Sequence, residues 1–221
     1  MTEARRIRAV FFDVGETLVD ESRDFGGWAD WLGVPRHTFF AVLGQVIARG
    51  EDHRAVFQHF RPGFDLAVER ERRGEAYGYG EGDLYPDARP CLRALKADGY
   101  FVGVVGNQPA RTAGLLRDLD LGVDLIATSA GWGVEKPSPA FFERVVEASG
   151  FGPGEVAYVG DRLDNDILPA RAAGLVTVFV KRGPWGHHHA GRPEAMLADL
   201  RIDDLTDLPA RLAALSTCRP R

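Results

Sequence analysis

The segment RAVFFDV at residues 8–14 decides the fold class, because it is almost entirely apolar and runs directly into an acidic residue. A strand that is apolar on both faces is typical of a parallel sheet covered by helices on each side. Asp13 stands at the end of this strand and is followed by Val14 and Gly15. The segment therefore predicts the first strand of an α/β sheet with a carboxylate at its carboxyl end.

Further apolar segments along the chain have the same character, and helical patterns separate them. The predicted strands cover residues 100–106, 124–128, 156–160 and 175–180, with a short edge strand near Ile202. The predicted helices cover about 88–98, 109–119, 139–149, 165–173 and 208–215. This alternation is the signature of a doubly wound, Rossmann-like parallel sheet, so we predict an α/β fold.

One stretch, from about residue 21 to residue 84, interrupts the alternation. It contains no convincing strand, and its helical patterns lie at 36–49 and 55–73. We interpret it as a helical insertion after the first strand. The predicted domains are therefore an α/β core of residues 1–20 and 85–221 and an inserted helical domain of residues 21–84.

Composition excludes several classes of protein. The 221 residues are 45% hydrophobic and 27% charged, which is ordinary for a globular protein. The net charge of −5 argues against a nucleic-acid binder, which would need a basic stripe. No signal peptide or membrane span is visible, and Cys91 and Cys218 suggest no disulfide framework. We expect a cytoplasmic protein that binds neither nucleic acid nor a membrane.

Polar residues stand where the predicted strands end, and the carboxyl ends of parallel strands meet at one edge of a sheet. Three carboxylates and one ammonium group are expected to converge there, from Asp13, Asp161, Asp166 and Lys136. Such an oxygen-rich cluster beside a positive charge suits Mg²⁺ and a phosphoryl group. Asp13 is then placed to attack phosphorus and form an aspartyl-phosphate, which splits one difficult step into two.

Four motifs in this order resemble those of the haloacid dehalogenase-like hydrolases. They are DVGETL at residues 13–18, VGN at 105–107, KP at 136–137 and GDRLDND at 160–166. The resemblance covers essentially the whole chain, and the insertion is similar to the family's helical cap of the first type. It implies a magnesium-dependent phosphatase that acts on a small phosphorylated substrate, and it leaves open whether the protein is a monomer or a homodimer.

The resemblance also implies roles for individual residues. Asp13 would be the nucleophile and a metal ligand. The backbone carbonyl of Gly15 and the side chain of Asp161 would be further ligands. Asp166 would bind the metal directly or hold a metal-bound water.

The remaining implied roles concern the phosphate. Lys136 would contact Asp13 and the phosphoryl oxygens, while Asn107 and the amide of Gly106 would hold phosphate oxygens. For Asn107, capping of the helix predicted from residue 109 is a rival role of about equal weight, and both roles can hold at once.

Two positions depart from the family pattern. Gly15 stands where the phosphatases usually carry a second aspartate, which protonates the leaving alcohol and is worth about 10²–10⁴-fold in rate. Glu16, Asp20, Asp24 and the cap are the candidate sources of a substitute. Gly106 stands where the family usually has serine or threonine.

The loss at Gly15 leaves two alternatives to a phosphatase. One is a weak or inactive member that binds a ligand without turning it over. The other is a 2-haloacid dehalogenase, because halide leaves without protonation. Dehalogenases typically have an aromatic residue at that position and lack the metal pair of the fourth motif, so Asp161 and Asp166 favour a phosphatase. The tract RGPWGHHHAG at residues 182–191 is predicted to be a surface loop rather than a metal site.

Overall fold

A computed structural model describes residues 6–73 and 79–217. Within those residues, six parallel strands form one sheet in the order β3-β2-β1-β4-β5-β6. The strands are β1 (Ala9–Phe12), β2 (Phe101–Gly106), β3 (Leu125–Thr128), β4 (Val156–Gly160), β5 (Val176–Val180) and β6 (Leu200–Ile202). The predicted α/β class and doubly wound parallel sheet are confirmed.

The centre of the sheet is buried on both faces, as the apolar sequence of its strands requires. Every residue of β1, β4 and β5 is buried. Phe11 of β1 pairs with Gly103 of β2, where a Cβ atom would lie 2.5 Å from the Phe11 ring. The backbone N–H of Asp13 donates to the carbonyl of Val159 at 2.9 Å, so the strand pairing continues to the first acidic residue.

Helices follow the strands and cover the sheet. Those outside the insertion are α5 (Ala88–Ala97), α6 (Thr112–Asp118), α7 (Ser129–Trp132), α8 (Pro139–Ser149), α9 (Leu168–Ala172), α10 (Gly183–His189) and α11 (Leu208–Thr217). A π-helical turn, Leu163–Ile167, leads from β4 into α9. No helix in the described part of the chain has the length and apolarity that a membrane crossing needs.

Residues 21–78 form a compact unit of their own. The described part contains α1 (Ser22–Leu32), α2 (Arg36–Ala48), α3 (Ala55–Phe60) and α4 (Leu66–Arg73). Aromatic rings make its core: Phe57 and Phe64 stack with centroids 4.9 Å apart, and Trp28 meets both rings edge-on. Its assignment as a cap stays a prediction.

The single helical pattern predicted over residues 55–73 is wrong at its centre, where α3 and α4 are separate helices. Arg61 precedes Pro62 and has extended backbone angles, as a residue before proline prefers. Gly63 then adopts a φ of +78°, which glycine reaches without strain. The Pro62-Gly63 pair ends the helix although the apolar spacing continues through it.

The second unit comprises residues 1–20 and 79–221, so the division falls at residue 78, whereas the sequence placed the boundary after residue 84. Residues 79–84 belong with the loop after β1. The N–H of Asp20 donates to the carbonyl of Asp83 at 2.8 Å, and Val19 forms a β-bridge with Leu84.

The predicted surface loop at residues 182–191 is wrong over most of its length, because α10 occupies Gly183–His189. Pro184 suits the first turn of a helix, where its missing N–H costs nothing. His189 is buried, and its Nδ1 accepts the N–H of Leu163 at 3.1 Å. This histidine therefore supports the π-helical turn.

Candidate active site

The three acidic residues predicted to converge do so at the carboxyl ends of β1 and β4, which are neighbours in the sheet. Carboxylate oxygens of Asp13, Asp161 and Asp166 lie within 4.8 Å of one another, and all three residues are buried. The parallel pairing of β1 with β4 places Asp13 beside Asp161, and the π-helical turn brings Asp166 back toward them.

Lys136 lies between two of these carboxylates. Its Nζ is 2.7 Å from Asp13 Oδ1 and 2.6 Å from Asp166 Oδ1, and only 3% of the residue is exposed. Burial alone would lower the pKa of the ammonium group, but the charges of Asp13 and Asp166 outweigh it and hold the pKa well above its usual value. The side chain is therefore a fixed positive charge that orients Asp13.

Asn107 holds the backbone of Lys136. Its Nδ2 donates to the Lys136 carbonyl and its Oδ1 accepts the Lys136 N–H, both at 2.8 Å. The capping alternative is wrong, since α6 begins at Thr112 and Arg111 occupies its cap position. Asn107 thus fixes the loop that carries the ammonium group. Its predicted contact with phosphate stays a prediction.

Gly106 leaves room for the carboxylate of Asp13. A Cβ atom on Gly106 would lie 2.4 Å from Asp13 Oδ1 and 3.3 Å from Val14 Cγ2. A serine or threonine at this position is incompatible with the observed orientation of Asp13. Either residue would require the Asp13 carboxylate to move from its observed position.

Asp166 is held from two sides. Its Oδ1 contacts Lys136 Nζ, and its Oδ2 accepts the backbone N–H of Arg162 at 3.0 Å. A Cβ atom on Gly160 would lie 2.4 Å from its Cγ, so the glycine of the fourth motif is required by this close approach. Asp166 both holds Lys136 and closes the π-helical turn.

Asp161 is the least satisfied of the carboxylates. It is 1% exposed, and its Oδ2 has no hydrogen-bond partner among residues 6–73 and 79–217. Burial first, and then the nearby negative charges of Asp166 and Asp13, raise its pKa well above the usual value. A buried carboxylate without a partner is costly, so the arrangement fits a divalent cation bound beside Asp161.

A polar network that the sequence did not predict joins the turn after Gly15 to the residues that follow β5. Tyr85 donates its hydroxyl to Glu16 Oε2 at 2.6 Å, and the guanidinium of Arg182 lies 4.0 Å from the centre of the Tyr85 ring. Arg182 also donates to the carbonyl of Thr17 at 2.9 Å and pairs with Asp87. The position of Arg182 just after β5 was the available signal, because ligands gather where parallel strands end.

Comparison with known proteins identifies relatives over most of the chain. The family model for haloacid dehalogenase-like hydrolases matches residues 7–174. The glyceraldehyde 3-phosphate phosphatase of Pyrococcus furiosus is 30% identical over 203 residues, which cover 82% of this chain and 83% of that protein. The protein of the same name from Methanopyrus kandleri is 36% identical over 141 residues, 58% of each chain.

A solved structure has the same architecture. The HAD phosphatase from Thermococcus onnurineus is 25% identical, with a TM-score of 0.60 over 93% of this chain and 98% of its own. The L-2-haloacid dehalogenase PA0810 shares the fold at a TM-score of 0.62 and 24% identity, over 93% of this chain and 99% of its own. Phosphatases and dehalogenases therefore both occur on this fold, and the choice between them depends on the site.

Proposed function

Because the chain belongs to the haloacid dehalogenase-like hydrolases, we propose that it is a magnesium-dependent phosphatase of small phosphate monoesters. The match of residues 7–174 to the family model confirms the family that the four motifs predicted. The observation that carries the proposal is the contact between Asp13 and buried Lys136, 2.7 Å long, next to the carboxylates of Asp161 and Asp166. The names of the relatives from Pyrococcus furiosus and Methanopyrus kandleri support the same class of reaction.

Asp13 acts as the nucleophile in this proposal. Its carboxylate attacks the phosphorus atom, and the bond from phosphorus to the ester oxygen breaks as the bond to Asp13 forms. The alkoxide that leaves takes its proton from solvent water. Water then attacks the phosphorus of the aspartyl-phosphate, which releases inorganic phosphate and restores Asp13. Lys136 fixes one oxygen of Asp13 throughout and offsets negative charge on the transferring group.

The cation site would be formed by Asp13, Asp161, Asp166 and the backbone carbonyl of Gly15. The unpartnered Oδ2 of Asp161 supports this assignment, because among the described residues only a ligand from outside the chain would satisfy it. Bound Mg²⁺ supplies positive charge that stabilises the transferring phosphoryl group. The all-oxygen ligand set suits a hard cation such as Mg²⁺ and disfavours softer metals that prefer nitrogen or sulfur ligands.

The substrate is proposed to be a small organic phosphate. Relatives named for this chemistry include a phosphoglycolate phosphatase from Pseudomonas aeruginosa, 28% identical over 91% of this chain and 78% of its own. We propose that residues 21–78 serve as the cap that shields the reaction from water and selects the substrate.

A binding protein without turnover is the second candidate, and Gly15 is the observation that favours it. A glycine offers no side chain to protonate the leaving alcohol. Such a protein would bind Mg²⁺ and a phosphate mimic while releasing no phosphate.

The direct test is phosphate release from a panel of esters in the presence of Mg²⁺. The native chain is compared with Asp13→Asn and with the matched control Asp164→Asn, which changes an exposed carboxylate of the same motif. We expect metal-dependent release by the native chain and the control, and none by Asp13→Asn. If the native chain releases no more than Asp13→Asn from any ester, the phosphatase proposal is wrong, and binding without turnover and 2-haloacid hydrolysis are tested next.

A further inference from the structure

Glu16 is a buried carboxylate beside the acidic cluster, and the proposed reaction does not use it. The residue is 6% exposed and has a φ of +54°, a left-handed conformation that a glutamate seldom adopts. Its N–H donates to the carbonyl of Val19 at 2.7 Å, which closes the turn after Gly15. This turn directs the side chain into the protein rather than to solvent.

Two neighbours fix the carboxylate in place. Tyr85 donates its hydroxyl to Oε2, and Gly183 approaches so closely that a Cβ atom there would lie 2.5 Å from the same oxygen. Burial, followed by the charge of Glu16, raises the pKa of Tyr85, so the tyrosine remains a hydroxyl donor. Arg182 in turn lies over the tyrosine ring. The negative charge of Glu16 is therefore held at a defined point.

The strand order shows which side of the cluster this point occupies. Asp13 follows β1, Asp161 follows the adjacent β4, and Gly183 follows β5 on the far side of β4. The Glu16 carboxylate thus lies toward the end of β5, whereas Gly106 and Lys136 lie against Asp13. Because β5 is the neighbour of β4 in the sheet, a charge held at the end of β5 is close to Asp161 at the end of β4.

We propose that Glu16 is a positioning residue for the cation: an additional fixed negative charge that strengthens divalent binding at Asp161 without contacting the substrate. The inference rests on the cation site of the proposed function. The carboxylates of Asp13, Asp161, Asp166 and Glu16 outnumber the nearby cations, which are the Lys136 ammonium group and the Arg182 guanidinium. Because Arg182 is also paired with Asp87, a net attraction for a doubly charged ion remains. The same location argues against Glu16 as the proton donor that Gly15 lacks, because Tyr85 and Gly183 enclose its carboxylate.

The test measures Mg²⁺ binding by calorimetry in the absence of substrate. Glu16→Gln keeps the shape of the side chain and an oxygen for the Tyr85 hydroxyl but removes the charge. We expect the Kd for Mg²⁺ to rise roughly tenfold. This is the lower end of the loss in metal affinity that follows mutation of residues around metal ligands. Glu143→Gln, the same charge change at an exposed position of α8, should leave the Kd unchanged.

Thermal unfolding separates this role from a structural one. Without Mg²⁺, Glu16→Gln should unfold at the native temperature or above, because it relieves repulsion among the carboxylates. The stabilisation that Mg²⁺ adds should be smaller than in the native chain. Glu16→Asn is the second neutral variant, because asparagine tolerates the left-handed conformation, and it should weaken Mg²⁺ binding to a similar extent.

Three outcomes would overturn the inference. Equal Mg²⁺ affinity in the native chain and both neutral variants would show that the charge is irrelevant, while the proposed function would stand. Unchanged affinity with a large loss of kcat would assign Glu16 to proton transfer instead. No Mg²⁺ binding by the native chain would remove the cation site itself and the inference with it.

Discussion

The steric role of Gly106 can be tested by adding a single carbon atom. In Gly106→Ala the new Cβ would lie 2.4 Å from Asp13 Oδ1. Non-bonded contacts between heavy atoms are favourable near 3.5 Å, so one of the two groups has to move by about 1 Å. The backbone of β2 is paired on both sides, by β1 and by β3, and we therefore expect the carboxylate of Asp13 to move.

A displacement of this size has two measurable results. A shift of about 1 Å at a reacting group lowers turnover by about 10²-fold. Overpacking a buried site costs about 1–3 kcal/mol of unfolding free energy. The assays are phosphate release at saturating Mg²⁺ and chemical denaturation.

The matched control is Gly114→Ala in α6, where an added Cβ meets nothing within 4 Å. Because alanine favours a helix over glycine by about 1 kcal/mol, this variant should be as stable as the native chain or more so, with unchanged activity. Native turnover in Gly106→Ala would refute the claim that glycine is there to accommodate Asp13.

Lys136, His189 and Gly15 each allow a further test. Lys136→Met leaves two buried carboxylates without their cation, so the unfolding free energy without metal should fall by about 3–5 kcal/mol, and Mg²⁺ should restore part of it. His189 has its pKa lowered by burial to about 4 from an ordinary value of 6.5, so the unfolded chain binds more protons between these values. The unfolding free energy that the neutral His189 contributes is complete above pH 6.5 and is lost as the pH falls toward 4. In His189→Asn, the unfolding free energy should depend less on pH across this range. An unaltered dependence would exclude His189 as its source. Since Gly15 cannot protonate a leaving alcohol, aryl phosphates should turn over at least about tenfold faster than alkyl phosphates, and equal rates would reveal another proton donor.

The parts of the structure that depend on local pattern were predictable from the sequence. Each strand is a short apolar run, and the acidic residues that follow β1 and β4 had to meet because neighbouring parallel strands end at one edge. The predicted convergence of Asp13, Asp161, Asp166 and Lys136 needed only the order of the elements.

Features that depend on long-range contacts were not predictable. The side-chain amide of Asn107 forms two hydrogen bonds with the backbone of Lys136, and nothing in the sequence of either motif indicates that pairing. Tyr85 and Glu16 are 69 positions apart and meet only after folding. The helix α10 was missed because glycine and proline at its start suggest a turn, whereas burial of His189 under the π-helical turn stabilises it.

The central claim is that Asp13 becomes phosphorylated during turnover. The most direct measurement is acid quenching during the reaction with the best ester, reduction of any acyl phosphate with borohydride, and mass spectrometry of the peptide that contains residue 13. The account predicts conversion of Asp13 to homoserine, dependent on Mg²⁺ and absent without substrate. Phosphate release with no modification of Asp13 would contradict it, because the phosphoryl group would then have passed to water without a covalent intermediate on this residue.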